Sequence, residues 1–490
     1  MKTTDERELK LEAGPRFRLP DLPGERLERR VLTSVYLDTA DHRLATSGVT
    51  LRRRWEAGRA RWQLKLPHGE ARLELEVPDP AARGGRRGTR RGGMEPPPEL
   101  ADLVTAYSRG TTLVPVATLR TRRDGTVVRD AHGPVAEVVL DSVDVLDGHA
   151  AVKRFREVEI ELTGGDERAL SQIAETVRKA GATDGDGRPK LLRVLGIEPV
   201  APAEQAEDSA STPERLRAMI EFQLGSIVAH DAGTRRGEDP EDLHQMRVAC
   251  RRTRAFLREA RPMLDPDWAE PLRAELEWLG DELGAVRDLD VLRQHLGDQI
   301  ASLDPSDAQG GARLLRALES ERARARSGLL AALRSDRYLK LLAALDEAAR
   351  QPHVTDPNVT LEDIGRDAFK RLRRAVNALP DEPSDEELHD IRIKAKHARY
   401  AAELAEPAVG KSARLFIERA KDFQDLLGDL HDAVVARERI RELGRRARGA
   451  AMAFVSGRLL ERQVTRREEI LGRFSKRWRK LRKWGRKTWQ

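Results

Sequence analysis

Up to about residue 200, apolar and polar positions alternate in short runs; beyond about residue 213, apolar positions return every three to four residues. The first pattern predicts strands with two unlike faces, and the second predicts long amphipathic helices. In DERELKLEA (5–13), Leu9 and Leu11 share one face of a strand, while Glu6, Glu8 and Lys10 share the other. The same division recurs along the first half. VTLRRRWE sets Arg52 and Arg54 against Leu51 and Trp55, and RWQLKL sets Lys65 against Trp62, Leu64 and Leu66. RLELEV aligns Arg72, Glu74 and Glu76, and TLRTRRDG aligns Arg120 and Arg122. VAEVVLDSV aligns Glu137 with Asp141, and REVEIEL aligns Glu157, Glu159 and Glu161.

The segment APAEQAEDSAST (201–212) is small and polar and reads as a linker. Thr212-Pro213-Glu214 then reads as a helix start with proline at its first position. RGGRRGTRRGGMEPPP (83–98) reads as a solvated loop, while LDPSDAQGG (303–311) and QPHVTDPNVT (351–360) break the helical half. Strands followed by helices predict an α+β domain, residues 1–200, joined through the linker to an all-α domain, residues 213–490.

Composition narrows the class. The 490 residues suffice for two or three domains, and 35% charged against 39% hydrophobic residues is polar without implying disorder. A formal net charge of +7 favours acidic partners. The single cysteine, Cys250, excludes an intrachain disulfide and suits a reducing cytosol. It reads as a core thiol, although Arg251 and Arg252 stand beside it. No apolar run approaches the roughly 20 residues of a membrane helix, so the expectation is a soluble cytoplasmic protein.

An ordinary half-wet sheet would mix charges on its polar face. Here they are grouped by sign within each strand, and like charges side by side are unfavourable unless something neutralises them. Grouped acids want a divalent cation; grouped Arg and Lys want an anion. A polyphosphate carrying Mg²⁺ or Mn²⁺ satisfies both. In a closed sheet those faces would form a charged lumen.

The order of these segments resembles the CYTH family, the triphosphate tunnel metalloenzymes. ERELK matches the family's E-x-E-x-K, and YLDTAD (36–41), LATSGVTLRRR (44–54), WQLK (62–65), RLELE (72–76), AEVVLD (136–141), EVEIEL (157–162) and RPKLLR (188–193) follow in order. The resemblance implies an eight-stranded antiparallel tunnel with helices outside. It implies triphosphate binding by Lys10, Arg52, Arg54, Lys65, Arg120, Arg122, Lys190 and Arg193. It implies metal binding by Glu6, Glu8, Asp141, Glu159 and Glu161, with Glu74, Glu76, Glu137 and Glu157 as further candidates. Glu6, Glu8 and Lys10 carry the catalytic signature. Relatives hydrolyse tripolyphosphate, thiamine triphosphate or RNA 5′-triphosphates, and some cyclise ATP.

The helical half repeats itself. LHQMRVACRRTRAFLR (243–258) aligns with LHDIRIKAKHARYAAE (388–403), and LGAVRDLDV (283–291) with LGDLHDAVV (427–435). Nearly one offset serves both, which reads as an internal duplication. At about 100° per residue, His244, Arg247, Arg251, Arg254 and Arg258 form one stripe. Met246, Ala249, Cys250, Thr253 and Phe256 fall on an adjacent face suited to a core. An all-positive stripe repels itself and suits a polyanion.

This half resembles the CHAD family, whose domains commonly follow CYTH domains. The resemblance implies two related four-helix bundles with a basic cavity or groove for inorganic polyphosphate. The carried-over binding residues are His244, Arg247, Arg251, Arg254, His389, Arg392, Lys396 and Arg399. Asp288 and Asp432 would orient those cations, and Gly284 and Gly428 would let helices approach. Histidine metal ligation lacks a supporting spacing. The tail FSKRWRKLRKWGRKTWQ (474–490) reads either as a polyanion- or membrane-contacting helix end or as a terminal helix docked through Trp478 or Trp484.

The expected protein is a metal-dependent triphosphatase fused to a polyphosphate-binding helical domain. Its rivals are a polyphosphate binder without turnover, an adenylate cyclase of the CYTH type, and a nucleic-acid binder.

Overall fold

The computed structural model describes residues 1–69, 71–79, 94–198, 211–356, 358–446 and 449–489. The linker after residue 198 and most of the Arg/Gly-rich loop therefore lie outside the described residues. The chain forms two compact units, residues 1–201 and 202–490.

The first unit is built on the alternating runs. Its strands are β1 (Lys2–Glu6), β2 (Glu8–Glu12), β3 (Gly24–Arg26), β4 (Arg30–Asp38), β5 (Thr50–Glu56), β6 (Arg59–His68), β7 (Ala71–Pro78), β8 (Val114–Asp130), β9 (Gly133–Asp147), β10 (Ala150–Leu162) and β11 (Thr183–Asp184). Their order is β1-β7-β6-β5-β4-β8-β9-β10-β2-β11, with β3 beside β8. All these pairs are antiparallel.

β1 and β2 are one run of chain interrupted at Arg7. Its first half pairs with β7, Glu6 opposite Arg72, and its second half pairs with β10, Glu8 opposite Glu161. The sheet thus closes on itself through its first strand. Counting that run once and leaving out the short β3 and β11 gives the expected eight-stranded tunnel.

The outer faces carry the apolar residues. Leu11, Val138, Leu140, Val158 and Ile160 are buried beneath Leu170, Ile173, Ala174 and Val177 of helix α4 (Glu167–Lys179). Three short helices, α1 (Arg43–Thr46), α2 (Pro98–Leu103) and α3 (Thr105–Ser108), precede it. Helix α5 (Lys190–Leu195) plugs one end of the tunnel: Leu191 and Leu192 pack with Tyr36, Leu119, Val143 and Val145.

The second unit has nine helices among the described residues: α6 (Thr212–Arg236), α7 (Pro240–Glu259), α8 (Pro266–Ala301), α9 (Ala308–Leu333), α10 (Asp336–Arg350), α11 (Leu361–Asn377), α12 (Asp385–Val409), α13 (Lys411–Arg445) and α14 (Ala450–Trp489). The duplication appears as α6–α9 and α11–α14, with α10 returning to pack on α6. Both aligned motifs fall at equivalent places, on α7 and α12 and on α8 and α13.

Helix starts follow local chemistry. Ser211 and Ser384 each share hydrogen bonds with the glutamate three residues on, Glu214 and Glu387. The first helix is therefore capped by Ser211, one residue before the position read from sequence. The break at 303–311 is shorter than expected, because α9 includes Gly310 and Gly311. A Cβ on Gly310 would lie 2.4 Å from the carbonyl oxygen of Ala451, so α9 and α14 meet closely there.

Candidate functional site: a charged tunnel and a basic groove

The tunnel holds a cavity of about 300 Å³, and its wall is almost entirely charged or polar. Alternation explains this. Arg52 and Arg54 point inward, whereas Arg53 between them points outward to Asp79 and lies over the Trp55 ring at 4.8 Å. Lys10, Lys65, Arg72, Arg123 and Lys190 join them on the wall, facing Glu6, Glu8, Glu74, Glu159 and Glu161.

The acids form two groups. Asp141, Glu157 and Glu159 bring carboxylate oxygens within 4.8 Å of one another, close enough to hold a metal ion. Three ammonium contacts already occupy that group: Lys190 Nζ is 2.9 Å from Asp141, 2.6 Å from Glu157 and 2.5 Å from Glu159. Arg123 adds a two-pronged bond to Asp141 at 2.8 and 2.7 Å and a contact to Glu159 at 2.5 Å. Burial opposes the Lys190 charge, but Asp141, Glu157 and Glu159 hold its pKa well above the ordinary value. Each of these three carboxylates thus has a cation partner.

In the second group one carboxylate has none among the described residues. Glu6 Oε1 is 2.6 Å from Lys65 and Glu8 is 2.7 Å from Lys10. Burial raises the Glu8 pKa, yet Lys10 leaves it below its ordinary value. Glu161, opposite Glu8 in the sheet, makes no ion pair among the described residues. Burial first, and then the charge of Glu6 with those of Glu8 and Glu74, raise its pKa to about 7. Excess negative charge therefore collects at Glu6, Glu8 and Glu161. Oxygen donors of this kind suit a hard divalent cation.

Of the inward cations, Arg54 stands apart. Arg52 is held by Gln63 at 2.8 Å and Tyr36 at 3.0 Å. The Nε of Arg54 is buried with no hydrogen-bond partner. Burial, with Arg52 and Arg123 nearby, lowers its pKa to about 10. A guanidinium in that position calls for an anion.

Two expectations fail on β8. Arg120 and Arg122 are exposed and do not reach the tunnel; Arg122 pairs outside with Asp144 at 3.3 Å. The inward face of β8 is Leu119, Thr121 and Arg123. Leu119 points inward because α5 plugs that end with leucines, so the apolar residue that marks the outside elsewhere marks the inside here. Arg193 also leaves the cavity: it pairs with Glu12 at 2.8 Å and lies over the Phe155 ring at 4.6 Å. Asp141 is fully buried behind Arg123 and Lys190.

In the helical unit the stripe on α7 has its predicted core side, with Met246, Ala249, Cys250, Thr253 and Phe256 all buried. Burial pushes the Cys250 thiol up to about 12, as suits a core residue. The stripe meets its twin on α12. Arg247 and Arg251 converge with Arg392, Lys396 and Arg399. Arg247 pairs with Asp288 at 3.0 Å, Arg399 with Glu403 at 3.1 Å, and Arg251 Nε donates to the Tyr400 hydroxyl at 3.2 Å. The Nε atoms of Arg392 and Arg399 are buried and unpartnered.

His389 and His431 bring their Nδ1 atoms to 3.3 Å, and His244 lies near Arg287. Arg254 turns to the side and pairs with Glu277. A Cβ on Gly284 would meet the Arg247 guanidinium at 3.3 Å, but Gly428 has nothing within 4 Å, so close approach is not its role. The tail is docked: Trp478 packs on Phe423 and Trp489 on Phe416, while Lys487 lies over Trp484.

Residues 5–189 match the CYTH domain family, and residues 218–441 match the CHAD domain family. The chain is 32% identical over 437 residues to the uncharacterized protein Rv2226 of Mycobacterium tuberculosis, covering 84% of this chain and 81% of that one. It belongs to the CYTH–CHAD proteins.

Solved structures similar to the chain include PptA from Streptomyces chartreusis, at 26% identity and a TM-score of 0.48, covering 55% of this chain and 98% of that one. The CHAD domain from the plant Ricinus communis is 28% identical, with a TM-score of 0.45, covering 58% and 96%. The CYTH family consists of triphosphate tunnel metalloenzymes. In this CYTH domain the acids whose carboxylate oxygens lie within 4.8 Å of one another are Asp141, Glu157 and Glu159, while Glu6, Glu8 and Glu161 line the same cavity. Sequence reading missed Arg123; its signal was the third arginine of TLRTRRDG. No helix is long and apolar enough to cross a membrane among the described residues.

Proposed function

We propose that the CYTH domain hydrolyses a linear triphosphate, with inorganic tripolyphosphate as its substrate, and that the CHAD domain binds long inorganic polyphosphate. The observation that carries the reading is the sign pattern of the tunnel. One wall has a surplus of acid at Glu6, Glu8 and Glu161, and the wall of Arg54 has a buried cation without an acid. A phosphate chain with a divalent cation complements both.

Mg²⁺ or Mn²⁺ held by Glu6, Glu8 and Glu161 would neutralise charge on the phosphoryl oxygens. Arg52, Arg54 and Arg123 are the residues to clamp the phosphates, and the bonds of Arg52 to Gln63 and Tyr36 fix its orientation beforehand. Lys10 and Lys65 hold Glu8 and Glu6 in place and present positive charge to the same cavity. Lys190 is bound to three carboxylates, so its first role is to keep the plug helix α5 on the tunnel end.

Phosphate release from tripolyphosphate by the purified chain with Mg²⁺ or Mn²⁺ tests the enzyme reading, alongside E8A and K10A, which should abolish it. Absence of turnover, or turnover that survives E8A, rejects it. Formation of cyclic AMP from ATP would instead favour the cyclase. A salt-sensitive gel shift with long polyphosphate tests the CHAD half, and competition with RNA separates it from a nucleic-acid site.

A further inference from the structure

On α12, Arg392, Lys396 and Arg399 follow one another at helical spacing, Arg251 of α7 reaches the same helix through the Tyr400 hydroxyl at 3.2 Å, and the Nε atoms of Arg392 and Arg399 are buried and unpartnered. Lys396 lies on α12 with its amine facing a cluster of fixed charges. Arg247 and Arg251 face it from α7, and Arg392 and Arg399 stand on its own helix. From α13 come His431, whose neighbours are Arg392, His389 and Lys396, and Asp432, drawn to Arg392. From α8 come Asp288, paired with Arg247, and Arg287, which faces His244. No ion pair or hydrogen bond reaches the Lys396 amine among the described residues. The nearby acids are directed elsewhere, Asp288 to Arg247 and Glu403 to Arg399. Five cations thus share one pocket, and only the lysine can relieve the repulsion by giving up a proton.

We propose that the CHAD groove takes up a proton at Lys396 as it takes up its polyanion, so that polyphosphate is held at and below neutral pH and released as pH rises. The inference rests on the reading of the groove as a polyphosphate site and adds its regulation. Burial, and then the charge of Arg392 with those of Arg251, Arg247 and Arg399, lower the amine's pKa to about 7 in the free protein. A bound phosphate chain supplies the missing negative charge and restores the amine's preference for its proton. The sign follows: the charged form binds, so affinity is greatest below the free pKa and falls above it. His431 contributes little there, because burial and Arg392 hold it near 4, neutral through the same range.

The test is isothermal calorimetry of the full chain with long-chain inorganic polyphosphate, whose chain ends are too few to matter. Divalent metal is omitted to prevent turnover. Titrations at pH 6.5 to 8.5 in pairs of buffers with different ionisation heats give both the affinity and the protons taken up. The dissociation constant should rise at least ~10-fold over that range, with uptake of about half a proton per groove at pH 7. K396R fixes the charge and should flatten both the affinity profile and the proton uptake; K396M should bind weakly at every pH. Both variants retain the tunnel and every histidine, so contributions from those groups cancel in the comparison. A flat wild-type profile, or a K396R slope equal to that of wild type, overturns the proposal while leaving polyphosphate binding in place. Absence of binding at any pH overturns both readings.

Discussion

The tunnel and the groove both gather cations, but they treat acids differently. Of the seven inward cations four have a carboxylate partner, Lys190 three, Arg123 two, and Lys10 and Lys65 at least one each, while Arg52, Arg54 and Arg72 have none among the described residues. In the helical cluster, Arg392 and Lys396 have no ion pair among the described residues, while Arg247 pairs with Asp288, Arg399 pairs with Glu403, and Asp432 lies near Arg392. Burying a charge without a partner is costly, and the carboxylates on the tunnel wall offset that cost for Lys10, Lys65, Arg123 and Lys190 but not for Arg54. The helical cluster is no less buried, since the Arg399 side chain is 12% exposed, as are those of Lys10 and Lys65 in the tunnel. On the proposed reading the tunnel takes a ligand that brings both signs, a phosphate with its metal, and the helical cluster one that brings a single sign.

The strongest break of this contrast is E8A. Loss of metal-supported hydrolysis by ~100-fold or more is expected, while the affinity of the CHAD groove for long polyphosphate stays as it was. Joint loss, seen by phosphate release and calorimetry on one preparation, would show that the two sites are not separate. R123A comes next. It leaves Asp141 and Glu159 short of a buried partner and should cost about 3–5 kcal/mol of tunnel stability, read by chemical denaturation. R54M removes a cation with no acid to strand, so it should leave stability near wild type while raising the KM for tripolyphosphate ~10- to 100-fold.

Metal affinity supplies a smaller effect. Glu161 carries its proton below a pKa of about 7 in the metal-free tunnel, and a bound cation must displace that proton. Apparent Mn²⁺ affinity should fall by up to ~10-fold per pH unit as pH drops below 7, and E161Q should remove that slope. The smallest effect belongs to R120A and R122A. Both side chains are outside the tunnel, so activity should be unchanged and stability within ~0.5 kcal/mol.

Much of this was legible in the chain. Period-two alternation set the lumen face correctly on the first run, β5, β6, β7 and β10, because their apolar sides are buried on the outside. It failed on β8, where adjacent Arg122 and Arg123 put a cation on each face and only Leu119 could fix the parity. Leu119 meets α5, and no local pattern announces that a helix closes one end of the tunnel. The division of the acids was hidden for a similar reason. Glu159 and Glu161 are equivalent in sequence, but Lys190 reaches one and not the other from a helix about 30 residues away. On the helices, the repeat identified the stripe. It could not tell that Arg254 turns to Glu277 while Arg399, its counterpart, stays in the cluster.

The interruption at Arg7 has a consequence for how the CYTH domain is made. The run that holds β1 and β2 precedes both its partners in the chain, pairing with β7 through Glu6 and with β10 through Glu8. One half of that run finds its neighbour once about 80 residues exist; the other must wait for residues 157–161. Until then its edge is unpaired, and the ring joins only through contacts of high sequence separation, the slow kind. Extra residues fused in front of Lys2, or their removal, would act on assembly of the ring before they act on chemistry.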